Sequence, residues 1–153
     1  MKKFTPTKFE FQVSEYFIGY KLLSKEKNQI INSSSAYKIL SPFFDEFHNI
    51  REAVYALYLN RANHVIGVLK VSEGSISGCT IDPRLVLKPA IELLASSIIL
   101  AHNHPSGALK PSNADLEITR KIQKGAELLE MELVDHLILT DESYISFADE
   151  GRL

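Results

Sequence analysis

A chain of 153 residues with 45% apolar content is long enough to bury a full core, and its length fits one domain better than two. A formal charge of -2 and a sequence pI of about 6.2 lack the basic excess of a phosphate-binding surface, which argues, weakly, against duplex nucleic acid as the first partner. The lone cysteine, Cys79, excludes an internal disulfide and a Cys-rich zinc framework, and it suits a reducing, cytoplasmic setting.

The start, Met1-Lys2-Lys3-Phe4-Thr5-Pro6, has the basic residues of a signal peptide, but Lys8, Glu10 and Gln12 break any apolar h-region. No stretch reaches the ~18 apolar residues of a membrane span. Phe9, Phe11 and Val13 alternate with Glu10, Gln12 and Ser14, the period-two pattern of a half-buried strand. Ser33-Ser34-Ser35 offers N-caps for a short helix through Leu40, which Pro42 stops at or before Ser41. Phe43, Phe44 and Phe47 follow as an aromatic cluster, expected to pack a linker onto the sheet rather than to meet a partner.

Residues 53–59 are nearly all apolar and residues 64–71 are rich in Val and Ile, with Asn60-Arg61-Ala62-Asn63 between them; this is a β-hairpin signature. Asp82-Pro83 pairs an N-cap acid with a first-turn proline, and Leu87, Ala90, Ile91 and Leu94 recur at helical spacing, predicting a helix over about 83–94. Ile98-Ile99-Leu100-Ala101 reads as a buried strand running into His102. Ser112 opens a second such helix, carrying Ile118, Ile122, Ala126 and Leu129 at intervals of three or four. Residues 133–139 and 144–147 close the chain as two strands joined by Thr140-Asp141-Glu142-Ser143. The alternation predicts an α/β or α+β fold, a mixed central sheet flanked by helices, in a single domain over 1–153 with a core of about 30–153 and a strand extension over 1–29.

The chemistry concentrates in His102-Asn103-His104-Pro105-Ser106-Gly107 and Pro111-Ser112-Asn113-Ala114-Asp115. Residues i and i+2 of an extended segment project to one side, so the two imidazoles converge while Asn103 points away. Pro105 and Gly107 let the chain turn back, bringing Asp115 in the first turn of the next helix over the same point. Two His and one Asp leave a fourth tetrahedral position open, the arrangement of catalytic rather than structural zinc, in which bound water becomes acidic near neutral pH. A carboxylate near the metal but not on it would then carry the proton. Glu52, at the head of the 53–59 strand, competes for that role with Glu73 and Glu92, and spacing alone does not separate them. The bland alternatives are an ordinary hydrogen-bonded His pair and a capping box, since Ser112 and Asp115 match [ST]-x-x-[DE]; capping and metal binding are compatible.

These residues resemble the JAB/MPN metalloprotease motif: an upstream Glu, His-x-His-Pro, six residues, then Ser-x-x-Asp. His102, His104, Pro105, the six residues 106–111, Ser112 and Asp115 match without insertion or deletion. The RadC-like branch is the most similar, through His-Asn-His-Pro-Ser-Gly, Pro111-Ser112, Asp115, Thr119, Leu133-Val134-Asp135-His136 and Ser146-Phe147, with Asp82-Pro83-Arg84 resembling the opening of its central helix. The likeness covers about 30–153. It implies a cytidine-deaminase-like sheet, a Zn2+ ion on His102, His104 and Asp115, and hydrolysis of an amide or isopeptide bond in a peptide or protein conjugate. It also places the catalytic acid/base on Glu52, since Arg51-Glu52-Ala53-Val54 resembles the family's first core strand, and an oxyanion donor on Ser112. Longer RadC relatives carry an N-terminal helix-hairpin-helix unit, for which the stretch before Ile30 is too short and strand-like, which weakens an inherited expectation of DNA binding and leaves nucleic acid a possible but not favoured partner.

Asp135 and His136 are neighbours in a strand and face opposite ways. A ligand-orienting role for Asp135 is weighed against a structural hydrogen bond, and the latter is favoured. Surface or capping roles suffice for His48 and His64, and a small buried residue for Cys79. Two other functions compete with the hydrolase. DNA handling or phosphodiester cleavage lacks a basic, aromatic-interleaved stretch, and the contiguous His-Asn-His is not the dispersed HNH nuclease motif. A non-catalytic, metal-stabilised interaction domain would not require the full ligand set retained here.

Overall fold

The computed structural model describes residues 28–45, 50–74 and 80–153. The strand expected over 9–13, the N-terminal segment, Phe47, His48 and Cys79 lie outside the described residues. The elements are α1 (Ser33–Leu40), a 3-10 turn (Ser41–Phe43), β1 (Ala53–Leu59), β2 (Val65–Glu73), α2 (Pro83–Glu92), β3 (Ser97–Asn103), α3 (Asn113–Leu128), β4 (Glu132–Leu139) and β5 (Tyr144–Ser146). The five strands form one mixed sheet in the order β2-β1-β3-β4-β5. Only β3 and β4 are parallel, joined by the α3 crossover that a parallel pair requires. The mixed-sheet α+β expectation matches this architecture.

Each central strand sends alternate residues to two cores, which is why β1 and β3 are buried throughout and read as unbroken apolar runs. Ala53, Tyr55, Leu57, Ile99 and Ala101 meet Ala36 and Leu40 of α1 and the buried Phe44. Val54, Ala56, Tyr58, Ile98 and Leu100 meet Val86 and Ala90 of α2 and Ile122 and Ala126 of α3. The Tyr58 hydroxyl, buried in that second core, donates to the Val86 carbonyl at 3.0 Å. Gly125 lets the two helices close: a Cβ there would sit 2.6 Å from Leu87 Cδ1.

Helix ends follow local chemistry, with one correction. The N-cap of α1 is Asn32, not a serine; its Oδ1 accepts the Ser35 N–H at 2.8 Å. The Ser35 hydroxyl in turn accepts the Asn32 N–H at 3.1 Å, so Ser33-Ser34-Ser35 is the first turn rather than the cap. Asp82 and Ser112 cap α2 and α3 as the sequence predicts. Strand and helix limits differ from expectation by one or two residues, the ordinary fraying of element ends. Phe147, for example, follows β5 but still donates its N–H to the His136 carbonyl at 3.0 Å.

Candidate metal centre

His102 and Asn103 end β3, and Val54 of β1 lies opposite His102. His102 therefore shares the face of Val54 and Leu100, toward α2 and α3, and is 3% exposed. Two residues on, His104 is still held to the sheet by its N–H, which donates to the Leu139 carbonyl at 2.8 Å. Its side chain is fixed from the loop side, where Nδ1 meets the Ala108 carbonyl at 2.6 Å. A carbonyl has no proton to give, so His104 Nδ1 carries one and Nε2 faces the site. The turn that makes this contact is helped by Gly107, whose φ of 75° suits glycine.

Asp115 reaches the same point from the first turn of α3. Its Oδ1 lies 3.3 Å from His102 Nε2 and its Oδ2 lies 3.6 Å from His104 Nε2, while the two Nε2 atoms are 3.0 Å apart. Ions with ligand bonds of about 2.0–2.1 Å in tetrahedral geometry separate their ligands by roughly 3.3 Å, so the three atoms fit one small cation. They are the one group of three or more His, Cys, Asp or Glu side chains among the described residues that can hold a metal ion. Ser112 keeps its capping role while serving this geometry: its N–H and Oγ–H both donate to Asp115 Oδ2, each at 2.7 Å, and its Oγ accepts the Asp115 N–H at 3.1 Å. The capping box thus aims the carboxylate.

The electrostatics are those of a cation site. Burial raises the Asp115 pKa, but the facing His102 and His104 rings and the Ser112 hydrogen bonds outweigh it and hold the carboxyl far below its usual range. The Asp115 carboxylate facing it raises the His104 pKa, against burial and with help from the Ala108 carbonyl and the nearby Glu52 charge.

Glu52 directly precedes β1, half-buried, and its carbonyl accepts the Gly74 N–H at 2.8 Å. Continuing the antiparallel register from the Val54 and His102 pair carries Glu52 level with His104. Its charge acts on His104, and it is not one of the three grouped ligand residues. The competitors sit elsewhere: the Glu73 carboxylate is engaged by Arg51 at 2.6 Å and Lys70 at 2.8 Å, and Glu92 ends α2 beside Lys88, 3.7 Å away.

Two residues outside the sequence-derived candidate set, Asn103 and His136, also shape the site. Asn103, pointing away from the imidazoles, accepts the Ala53 N–H on Oδ1 at 2.7 Å and donates from Nδ2 to the Arg51 carbonyl at 3.0 Å. It brackets Glu52. His136, fully buried, places Nε2 2.8 Å from His102 Nδ1 and Nδ1 2.6 Å from Thr119 Oγ1, with its pKa pushed well down by burial. Of the neighbours Asp135 and His136, it is therefore His136 that approaches the ligand. Asp135 accepts from Ser146 Oγ at 2.6 Å and the Ala148 N–H at 3.1 Å, the structural hydrogen bonding favoured from sequence; burial pushes its pKa up against those bonds. His64 lies in the β1–β2 connection, its N–H donating to Asn60 Oδ1 at 3.0 Å.

Residues 30–152 match the RadC-like JAB domain. Among curated relatives, a UPF0758 protein of Flavobacterium johnsoniae is 44% identical over 123 residues, covering 80% of this chain and 53% of that protein. One from Porphyromonas gingivalis is 43% identical over 83% of this chain and 56% of its own length. One from Aquifex aeolicus is 41% identical over 93% and 58%. The chain thus spans little more than half the length of these relatives. No helix among the described residues is long and apolar enough to cross a membrane.

Proposed function

Because this chain belongs to the RadC-like JAB domain family, we propose that it is a zinc-dependent hydrolase cleaving an amide or isopeptide bond in a peptide or protein conjugate. The observation that carries this reading is the convergence of His102 Nε2, His104 Nε2 and an Asp115 oxygen on one point, with Glu52, whose charge acts on His104, level with it in the strand register. Zinc held by those three residues supplies a Lewis acid that polarises a carbonyl and makes water acidic near neutral pH.

The chain's own groups supply the rest. Glu52 accepts the proton of the attacking water on its carboxylate and returns it to the leaving amine nitrogen. Asn103 holds the backbone on both sides of Glu52, fixing the point from which that carboxylate extends. Ser112 Oγ–H, resting on Asp115 Oδ2, turns to the developing oxyanion as charge builds there. The lone Cys79 favours the cytoplasm as its setting.

Metal analysis of purified protein tests the first half: stoichiometric zinc is expected in the native chain and its loss in His104→Ala. Glu52→Gln tests the second half, against a panel of peptide and isopeptide-linked substrates. It is expected to keep the metal and lose cleavage; wild-type turnover in that variant would remove Glu52 from the chemistry.

A further inference from the structure

We propose that Thr119 and His136 form a buried hydrogen-bond relay that fixes which nitrogen of His102 faces the ion and ties His102 to the backbone of Asp115. Both would be positioning residues, and the inference rests on His102, His104 and Asp115 being the metal's ligands.

The direction of every bond in the relay follows from counting protons. Thr119 Oγ1 lies 2.5 Å from the Asp115 carbonyl oxygen and 2.6 Å from His136 Nδ1. Contacts that short each need a hydrogen between the heavy atoms. The carbonyl has none, so the single hydroxyl hydrogen of Thr119 goes there. The hydrogen in the second contact must then belong to His136 Nδ1. His136 is fully buried, and its ring nitrogens meet a hydroxyl and another imidazole rather than a carboxylate, so it is held as the neutral ring with a bare Nε2. That nitrogen is 2.8 Å from His102 Nδ1 and can only accept, which puts the His102 proton on Nδ1. His102 Nε2 is left with its lone pair aimed at the point it shares with His104 Nε2, 3.0 Å away, and Asp115 Oδ1, 3.3 Å away.

The relay is closed at both ends by ligand residues, one from the end of β3 and one from the first turn of α3. Phe147 packs on the His136 ring, centroids 4.8 Å apart and planes at 36°, so the ring cannot turn without disturbing the core. Metal-ligating histidines commonly hand their second nitrogen to an oxygen acceptor; here the acceptor is a second imidazole, which orients His102 without adding charge.

Long-range 1H–15N spectra of the metal-free protein at mildly alkaline pH, together with zinc competition against a chromophoric chelator, test the relay. His102 and His136 are both expected to carry their proton on Nδ1. Thr119→Val should lose that pattern and weaken zinc binding by about tenfold to a hundredfold, the range for lost ligand-orienting partners, while Thr119→Ser should preserve both. A proton on His102 Nε2 in the wild type, or equal zinc affinity in the Val and Ser variants, would overturn the proposal. Failure of the wild type to bind zinc would instead overturn the ligand assignment, and the nitrogen pattern would still decide the relay. Should the valine variant not fold, the wild-type spectrum suffices.

Discussion

Asn103 Oδ1 accepts the Ala53 N–H at 2.7 Å, a side-chain bond that spans two strands and closes the open end of the β1–β3 pair. With its second bond to the Arg51 carbonyl, the 1%-exposed Asn103 side chain replaces ladder hydrogen bonds where β1 begins. Asn103→Ala leaves a buried donor unsatisfied, so a loss of about 1–3 kcal/mol in unfolding free energy is expected, measurable by denaturant titration. Zinc content should be unchanged. If Glu52 carries the proton in the proposed hydrolysis, turnover should fall through kcat more than KM, because the backbone on both sides of Glu52 loses its anchor.

The raised His104 pKa sets a pH dependence for metal binding. Zinc needs a bare Nε2, so a protonated His104 must lose its proton first, and affinity should fall as pH drops through the His104 value, which lies above 6.5. Asp115, held low, stays ionised and exchanges none. Calorimetric titrations in buffers of different ionisation enthalpy should therefore register proton release near neutral pH; buffer-independent heats would contradict this.

The same two shifts shape the stability of the metal-free fold. The contribution from His104 is fully present below pH 6.5 and fades as pH rises through its higher folded value. That from Asp115 is present above pH 3.8 and fades only as pH falls toward its much lower folded value. Metal-free protein is thus expected to gain least from this cluster on the alkaline side, where added zinc should raise Tm most.

Ser112 joins two roles that substitution can separate. Ser112→Ala removes the α3 cap, worth about 0.5–2 kcal/mol, and two of the bonds that involve its hydroxyl at Asp115. Ser112→Thr keeps the hydroxyl and should restore both stability and zinc affinity. If Ser112 also serves the oxyanion, the alanine variant loses kcat beyond what weaker zinc binding explains at saturating metal.

Ser146→Ala distinguishes a structural Asp135 from a ligand-orienting one. Ser146 donates to Asp135 Oδ2 at 2.6 Å, both residues buried, and its loss should cost about 1–3 kcal/mol. Zinc affinity should not move, since His136, not Asp135, meets His102. A fall in zinc affinity at unchanged stability would reverse that assignment.

The sequence by itself determined most of what depends on near neighbours, the α1 N-cap on Asn32 aside. The i, i+2 spacing of His102 and His104 in an extended segment, the Ser112 and Asp115 capping pair and the apolar runs of β1 and β3 are local relations, and local geometry fixes their outcome. Only the tertiary structure decided contacts between distant segments. Glu52 is level with His104 because the antiparallel register sets Val54 opposite His102. His136 rather than Asp135 faces the ligand because the irregularity at the start of the β3–β4 pairing sets Asp135 opposite Ile99 and His136 opposite Leu100, on the face of His102. Thr119 reaches His136 because α3 crosses over between those parallel strands. Such relations are set by strand order, register and helix docking, to which spacing along one chain gives no direct access.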